Sequence, residues 1–221
     1  EFFGGEKIKI LENKWKKLFG IRNAVSVNSN TSGLFCAMGA IGISPGDEVI
    51  IPPTTMSATA MAPLVYGGIP VFADIENKTY CIDPVKVEEK INKNTKAIIA
   101  VNLFGHPAQL KKLKNIAKKY NIYLIEDNAQ APLALENGKY CGTVGDIGVF
   151  SLNYHKHIHS GEGGICCTNN NELALRMQLI RNHAEASVEF TVLKYITNKI
   201  FYNYIMTELI AAIDIVKLRN I

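Results

Sequence analysis

Two stretches, Ala97-Ile98-Ile99-Ala100-Val101 and Tyr123-Leu124-Ile125-Glu126, carry apolar side chains at nearly every position instead of at alternate ones. A strand that reads this way is covered on both faces, which is the pattern of a parallel sheet held between helices. Working outward, similar short aliphatic or β-branched runs recur at Ala24 to Val27, Glu48 to Ile51, Val71 to Ala73, Val149 to Ser151 and Gly164 to Cys167. Between them lie segments of helical length with polar starts, such as Thr31 ahead of Gly33 to Ile41 and Asp83 ahead of Val85 to Ile91. Before the first strand, Ile8, Leu11, Trp15, Leu18 and Phe19 share one helical face, and Gly20 stands where a left-handed C-cap belongs. The alternation predicts an α/β fold, a mainly parallel sheet sandwiched by helices, built as one domain over residues 1–221 without repeat, linker or low-complexity segment.

Composition supports a packed core: of 221 residues, 48% are hydrophobic and 20% charged, which excludes a disordered chain. The net charge of +4 is small, and Lys111, Lys112, Lys114, Lys118 and Lys119 spread over a helix instead of forming an aromatic-studded basic stripe. No nucleic-acid partner is expected. The five cysteines, Cys36, Cys81, Cys141, Cys166 and Cys167, sit mostly in apolar stretches, as buried thiols of a reducing compartment do, so a cytoplasmic location is expected. No run approaches the ~20 apolar residues of a membrane span, no signal-peptide series opens the chain, and no membrane partner is expected. Both ends read as cut. Glu1 is not a Met, and the helical pattern Leu209, Ala212, Ile213, Val216 is still running shortly before Ile221.

In parallel sheets the ligand lies beyond the carboxyl ends of the strands, so the polar residues just after each strand are the candidates. Asn28-Ser29-Asn30-Thr31-Ser32-Gly33 leads into a helix and reads either as a phosphate cradle, with exposed amides at the positive end of the helix dipole, or as an ordinary N-cap. Asp127 ends a strand and could face a ligand or cap a following helix; Gln130 reaches the same pocket if a turn of helix begins there. The densest segment is Ser151-Leu152-Asn153-Tyr154-His155-Lys156-His157-Ile158-His159-Ser160-Gly161-Glu162-Gly163-Gly164. A Lys partly buried among other cationic groups is a nucleophilic amine suited to Schiff-base chemistry. In a strand, His155, His157 and His159 would instead point to one side and could ligate zinc; a solvated structural loop is the third reading. No metal is expected, because no carboxylate alternates with the histidines. A phosphate cradle, an acid for a ring nitrogen and a Lys for an aldehyde together meet the requirements of pyridoxal phosphate.

With these residues in view the chain resembles the sugar aminotransferases of the DegT/DnrJ/EryC1/StrS group, within fold-type I of the pyridoxal-phosphate enzymes. The resemblance runs through Asn30-Thr31-Ser32, Pro45-Gly46-Asp47-Glu48, Pro70-Val71-Phe72-Ala73-Asp74, Leu103-Phe104-Gly105-His106-Pro107, Ile125-Glu126-Asp127, Gly145-Asp146-Ile147, Gly161-Glu162-Gly163-Gly164 and Asn203-Tyr204. It implies that Lys156 forms the Schiff base, that Asp127 partners the pyridinium nitrogen, and that Gln130 lies near the phenolic oxygen. Thr31, Ser32 and Ser151 match phosphate contacts, and Met56 stands where an aromatic usually stacks on the ring. Asn203 matches a residue that reaches the phosphate of a neighbouring subunit, which implies a homodimer with shared sites. Ile205 stands where an Arg commonly follows. The chain then corresponds to the large cofactor-binding domain, before a smaller C-terminal domain. The implied reaction moves an amino group from glutamate, through the pyridoxamine form, to a nucleotide-linked keto sugar; Lys156 argues against the dehydratases of this fold, which carry His there. The competing reading is a cofactor-binding but inactive or truncated homologue with an assembly or regulatory role. For the dimer, Ile200, Phe201, Tyr202, Ile205 and Met206 are expected to form an apolar patch that a two-fold mate covers.

Overall fold

Every stretch expected to be a strand is a strand in the computed structural model, which describes residues 5–184 and 200–220 and so leaves Glu1 and Ile221 outside the described residues. Helix α1 (Glu6–Phe19) ends on Gly20 at φ 65°, ψ 37°, the left-handed cap its sequence promised. There follow β1 (Asn23–Val27), α2 (Asn30–Ile41), β2 (Glu48–Ile51), α3 (Ser57–Leu64), β3 (Ile69–Phe72), α4 (Pro84–Lys90), β4 (Thr95–Val101), α5 (Leu110–Tyr120) and β5 (Tyr123–Asp127). A small ribbon of β6 (Leu135–Glu136) and β7 (Lys139–Tyr140) leads to β8 (Ile147–Ser151), β9 (Gly164–Thr168), α6 (Asn171–Arg181) and α7 (Glu208–Lys217).

Seven strands form the main sheet in the order β1-β9-β8-β5-β4-β2-β3. The run from β8 to β3 is parallel, whereas β9 is antiparallel to both of its neighbours. β1 therefore takes one edge, β2 and β3 the other, and the later strands fill the space between them. The period-two alternation of a strand divides each apolar run between two faces. Val49, Ile51, Ala97, Ile99, Ile125 and Val149 pack with Leu34, Met38 and Ile41 of α2 and Leu173, Met177 and Ile180 of α6. Ile50, Ile98, Ala100 and Leu124 pack with Leu110 and Leu113 of α5 on the opposite face. There, too, Phe150, Ile165 and Cys167 meet Ile8, Leu11 and Trp15 of α1, and Met206, Ala211 and Ile215. Trp15 is fully buried, with its ring centroid 4.9 Å from Phe19 and 5.2 Å from Phe150.

Four local expectations need correction. Helix α2 is capped by Ser29, not Thr31: Ser29 is extended and its Oγ accepts the Ser32 N–H at 3.1 Å. After Asp127 no helix begins; residues 128–134 run through turns. Residues 153–163 are turns and isolated bridges instead of a strand, so His155, His157 and His159 do not share a strand face. Finally, the apolar patch is largely consumed by this chain itself. Met206 is fully buried in the α1 cluster, Phe201 and Tyr202 pack against the α2 cluster, and Ile200 is the member left more than half exposed. The apolar stripe of α7 behaves in the opposite way, because Leu209, Ile213 and Val216 are exposed while Ala211, Asp214 and Ile215 are buried. All five cysteines are buried and free, and no helix among the described residues is long and apolar enough to cross a membrane.

Candidate active site

The carboxyl ends of β1, β2, β4, β5 and β8 open onto a cleft of about 960 Å³, lined among others by Asn30, Thr31, Met56, Asp127, Gln130, Ser151 and Lys156. Six of the eight residues to which the resemblance gives a role, Thr31, Met56, Asp127, Gln130, Ser151 and Lys156, thus converge here from segments far apart in the chain. Ser32 and Asn203 do not line it.

The floor is Asp127, only 4% exposed. Its neighbour Glu126 points to the other face of the sheet, where it accepts the N–H groups of Gly142, Val144 and Gly145 and is reached by Asn102 Nδ2. Glu126 is therefore a fully satisfied structural carboxyl, and Asp127 is the one aimed at the cleft. Thr59 Oγ1 donates to Asp127 Oδ2 at 2.9 Å and the Ala129 N–H to Oδ1 at 3.2 Å. Burial pushes the Asp127 carboxyl above its usual range, while these donors, Asn30 and the positive charge of Lys156 pull the other way. Thr59 was not legible beforehand. It lies one helical turn after Thr55, and the two hydroxyls are 2.7 Å apart.

One wall is the start of α2. Gly33 brings this helix close against the sheet, since a Cβ there would stand 2.5 Å from Val149 Cγ1. The first turn leaves the N–H groups of Asn30 and Thr31 without an acceptor among the described residues, at the positive end of the helix. Asn30 is 9% exposed and its Nδ2 is buried with no partner. The Ser32 hydroxyl is engaged instead with Asn28 Oδ1 and with Ser29 Oγ, the latter at 2.8 Å, so it braces the loop from behind. The Asn28 to Gly33 segment is thus both an N-cap and an open donor set.

The opposite wall is the turn after β8. Lys156 is half-buried beside the exposed His155 and His157, and Asn153 donates to Glu162 across the base of the turn. Among the described residues no group of three or more His, Cys, Asp or Glu side chains is arranged to hold a metal ion. At the rim, Met56 is 65% exposed, and Gln130 Oε1 accepts the Phe104 N–H at 2.9 Å, which leaves its amide nitrogen free to donate into the cleft. Asn203 is exposed outside the cleft, on a segment strapped to α6 and β1 by bonds such as Tyr204 N–H to Arg181 O and Asn28 N–H to Tyr204 O, both 2.8 Å.

A family model, that of the DegT/DnrJ/EryC1/StrS aminotransferase family, matches residues 1–221. The chain is 38% identical over 216 residues to a GDP-perosamine synthase of Escherichia coli O157:H7, a match covering 98% of this chain and 58% of that protein. Among solved structures it superposes on NtdA of Bacillus subtilis with bound PMP at a TM-score of 0.87 and 33% identity, covering 99% of this chain and 49% of that one. It superposes equally on a GDP-4-keto-6-deoxymannose-3-dehydratase holding a trapped PLP-glutamate geminal diamine. That match has a TM-score of 0.88 and 31% identity, with 100% of this chain and 62% of the other covered. The chain thus spans 49% to 62% of the length of these three proteins.

Proposed function

We propose that this chain, which belongs to the DegT/DnrJ/EryC1/StrS aminotransferase family, is the large, cofactor-binding domain of a pyridoxal-phosphate enzyme that moves an amino group from glutamate to a nucleotide-linked keto sugar. The observation that carries this is the pairing, in one cleft, of the Lys156 amine with a buried carboxyl that lacks a hydrogen-bonded cation, Asp127. A carboxyl raised by desolvation gains from a positive group brought against it, and a protonated pyridine nitrogen is such a group. The free N–H groups of Asn30 and Thr31 suit a phosphate, with the Thr31 and Ser151 hydroxyls lining the same cleft. The residues present therefore fit the cofactor.

When bound, pyridoxal phosphate supplies an aldehyde that condenses with amines and a ring that accepts electron density. Lys156 Nζ would hold the aldehyde and, once displaced by a substrate amine, would be the base that takes the proton leaving the substrate carbon. Asp127 would keep a proton on the ring nitrogen, and Thr59 would keep Asp127 oriented for it. The free amide N–H of Gln130 would donate to the phenolic oxygen, and the polarizable thioether of Met56 would cover one ring face. Ser32 would act at one remove, by fixing Asn28 and Ser29.

The glutamate donor is supported by the adduct in the dehydratase structure, and the sugar-nucleotide acceptor by the GDP-perosamine synthase likeness. Asn203, exposed and outside its own cleft, is proposed to complete the phosphate site of a two-fold mate in a homodimer. A cytoplasmic location is in keeping with the five free, buried thiols.

The test is Lys156→Ala. Loss of the visible absorption and of the borohydride-reducible adduct is expected, and an unchanged adduct on the variant would remove Lys156 from its role.

A further inference from the structure

Helix α7 carries a carboxyl that the proposed chemistry does not use. Asp214 is fully buried, and its Oδ1 has no hydrogen-bond partner. No Lys, Arg or His pairs with it among the described residues. A carboxyl in such surroundings costs stability, and an apolar side chain would pack there at lower cost. Its one contact explains where it matters: Asp214 Oδ2 accepts the Ser160 hydroxyl at 2.9 Å.

Ser160 lies four residues after Lys156 on the same turn. That turn is closed on itself by backbone bonds, Leu152 N–H to Gly163 O at 2.9 Å, Tyr154 N–H to Gly161 O at 2.8 Å and Ser160 N–H to Leu152 O at 3.0 Å. Leu152 and Ile158 anchor it by burial in the α1 cluster, which fixes the turn against the core at those two contacts. Among the described residues, the Ser160 to Asp214 bond is the one side-chain hydrogen bond from residues 152–163 to a helix.

We propose that Asp214 is a positioning residue for Lys156: through the Ser160 hydroxyl it ties the Lys-bearing turn to helix α7 and so sets how the amine enters the cleft. This rests on the reading of the cleft given above only in what Lys156 is positioned for.

Two readouts on the purified chain separate the possibilities. The first is amide hydrogen exchange at Tyr154 and Lys156 without cofactor, compared with exchange in α1. The second is the rate at which added pyridoxal phosphate gives a borohydride-reducible adduct on Lys156. Ser160→Ala and Asp214→Ala should each speed exchange in the turn several-fold, up to about tenfold, beyond any change in α1, and slow adduct formation by a similar factor. The double variant should be no worse than either single one, since both remove the same bond. Asp214→Asn, which keeps an acceptor for Ser160, should leave exchange in the turn relative to α1, and the rate of adduct formation, close to the parent. Exchange that rises in the turn and in α1 alike, or a double variant whose effects add, would overturn the positioning role and leave Asp214 as a packing defect. If Asp214→Ala fails to fold, Ser160→Ala alone decides the question. A parent chain that forms no adduct would sink the reading of the cleft, while the exchange data would still decide the tie to α7.

Discussion

Replacing Asp214 by Asn should change how the stability of this chain depends on pH, and the size of the change follows from the burial of the group. Asp214 has no cation beside it and one hydroxyl donor, so desolvation pushes its carboxyl up to about 7. In the unfolded chain an Asp titrates near ~3.9. Between those values the folded state holds a proton that the unfolded state has lost. Stability therefore falls as pH rises from about 4 to about 7 and is fully present only below the unfolded value. A shift of about 3 units at ~1.36 kcal/mol each corresponds to about 4 kcal/mol lost by the time the group is ionised.

Asn has nearly the same volume and no charge at either end of that range. At about pH 4 the variant and the parent should differ by no more than about 1 kcal/mol, the cost of an amide that is imperfectly paired. At about pH 8 the variant should be the more stable by about 4 kcal/mol. Urea denaturation of the cofactor-free chain, with a slope of about 2 kcal/mol/M, would register this as a midpoint shift of roughly 2 M at the higher pH. Glu126 and Asp127 are also raised by burial, but they titrate alike in both proteins and cancel in the difference. A stability difference that stays constant across the range would falsify the reasoning, because it would mean that Asp214 does not titrate between the two values.

Thr59→Val removes the hydroxyl that donates to Asp127 Oδ2 at 2.9 Å while keeping the side-chain shape. A hydrogen bond to a charged group is worth about 1.5–3 kcal/mol, so kcat should fall roughly 10- to 100-fold, and an unaltered kcat would show that Asp127 needs no such support. Gly164→Ala acts on the proposed phosphate cradle, because its Cβ would lie 2.6 Å from both the carbonyl carbon and oxygen of Ser29. Overpacking of this kind costs about 1–3 kcal/mol; a weaker pyridoxal phosphate Kd by absorbance titration is expected, and a loss of stability at unchanged Kd would separate Ser29 from the cradle.

The layered sheet was legible because its strands are buried on both sides, so Ala97 to Val101 and Tyr123 to Glu126 announce themselves without tertiary information. The direction of β9 was not. Gly164 to Cys167 has the same apolar character as the parallel strands, and only the tight turn that carries Lys156, too short for a crossover helix, forces β9 to run back beside β8. In the site, Lys156, Asp127 and Thr31 were readable as polar residues just beyond strand ends. Thr59 was not, since it acts across 68 residues of sequence from the first turn of a helix. Asp214 was hidden for the same reason: within the apolar stripe of α7 it reads as a solvent-facing residue, and only the docking of α7 against α1 and the Lys156 turn buries it. The apolar run around Asn203 misled in the other direction. Hydrophobic character says that a segment wants cover but not whether the cover is a second chain or, as for Met206, its own core.

The three raised carboxyls of this end of the sheet differ in what still faces them, and that difference ranks their roles. Glu126 accepts three backbone N–H groups and a side-chain amide, so its desolvation is answered within the fold and nothing further is called for. Asp127 has donors on both oxygens but borders the cleft that holds Lys156, so what it lacks is a cation that a ligand can bring. Asp214 has one donor and one bare oxygen, away from the cleft lining. No ligand reaching the cleft answers it, and its cost is carried by the fold at all times. Such a residue is best explained by what it holds in place. Stability given up at Asp214 and order gained in the Lys156 turn are then two sides of one contact, which is why the same Ser160 hydroxyl should control both.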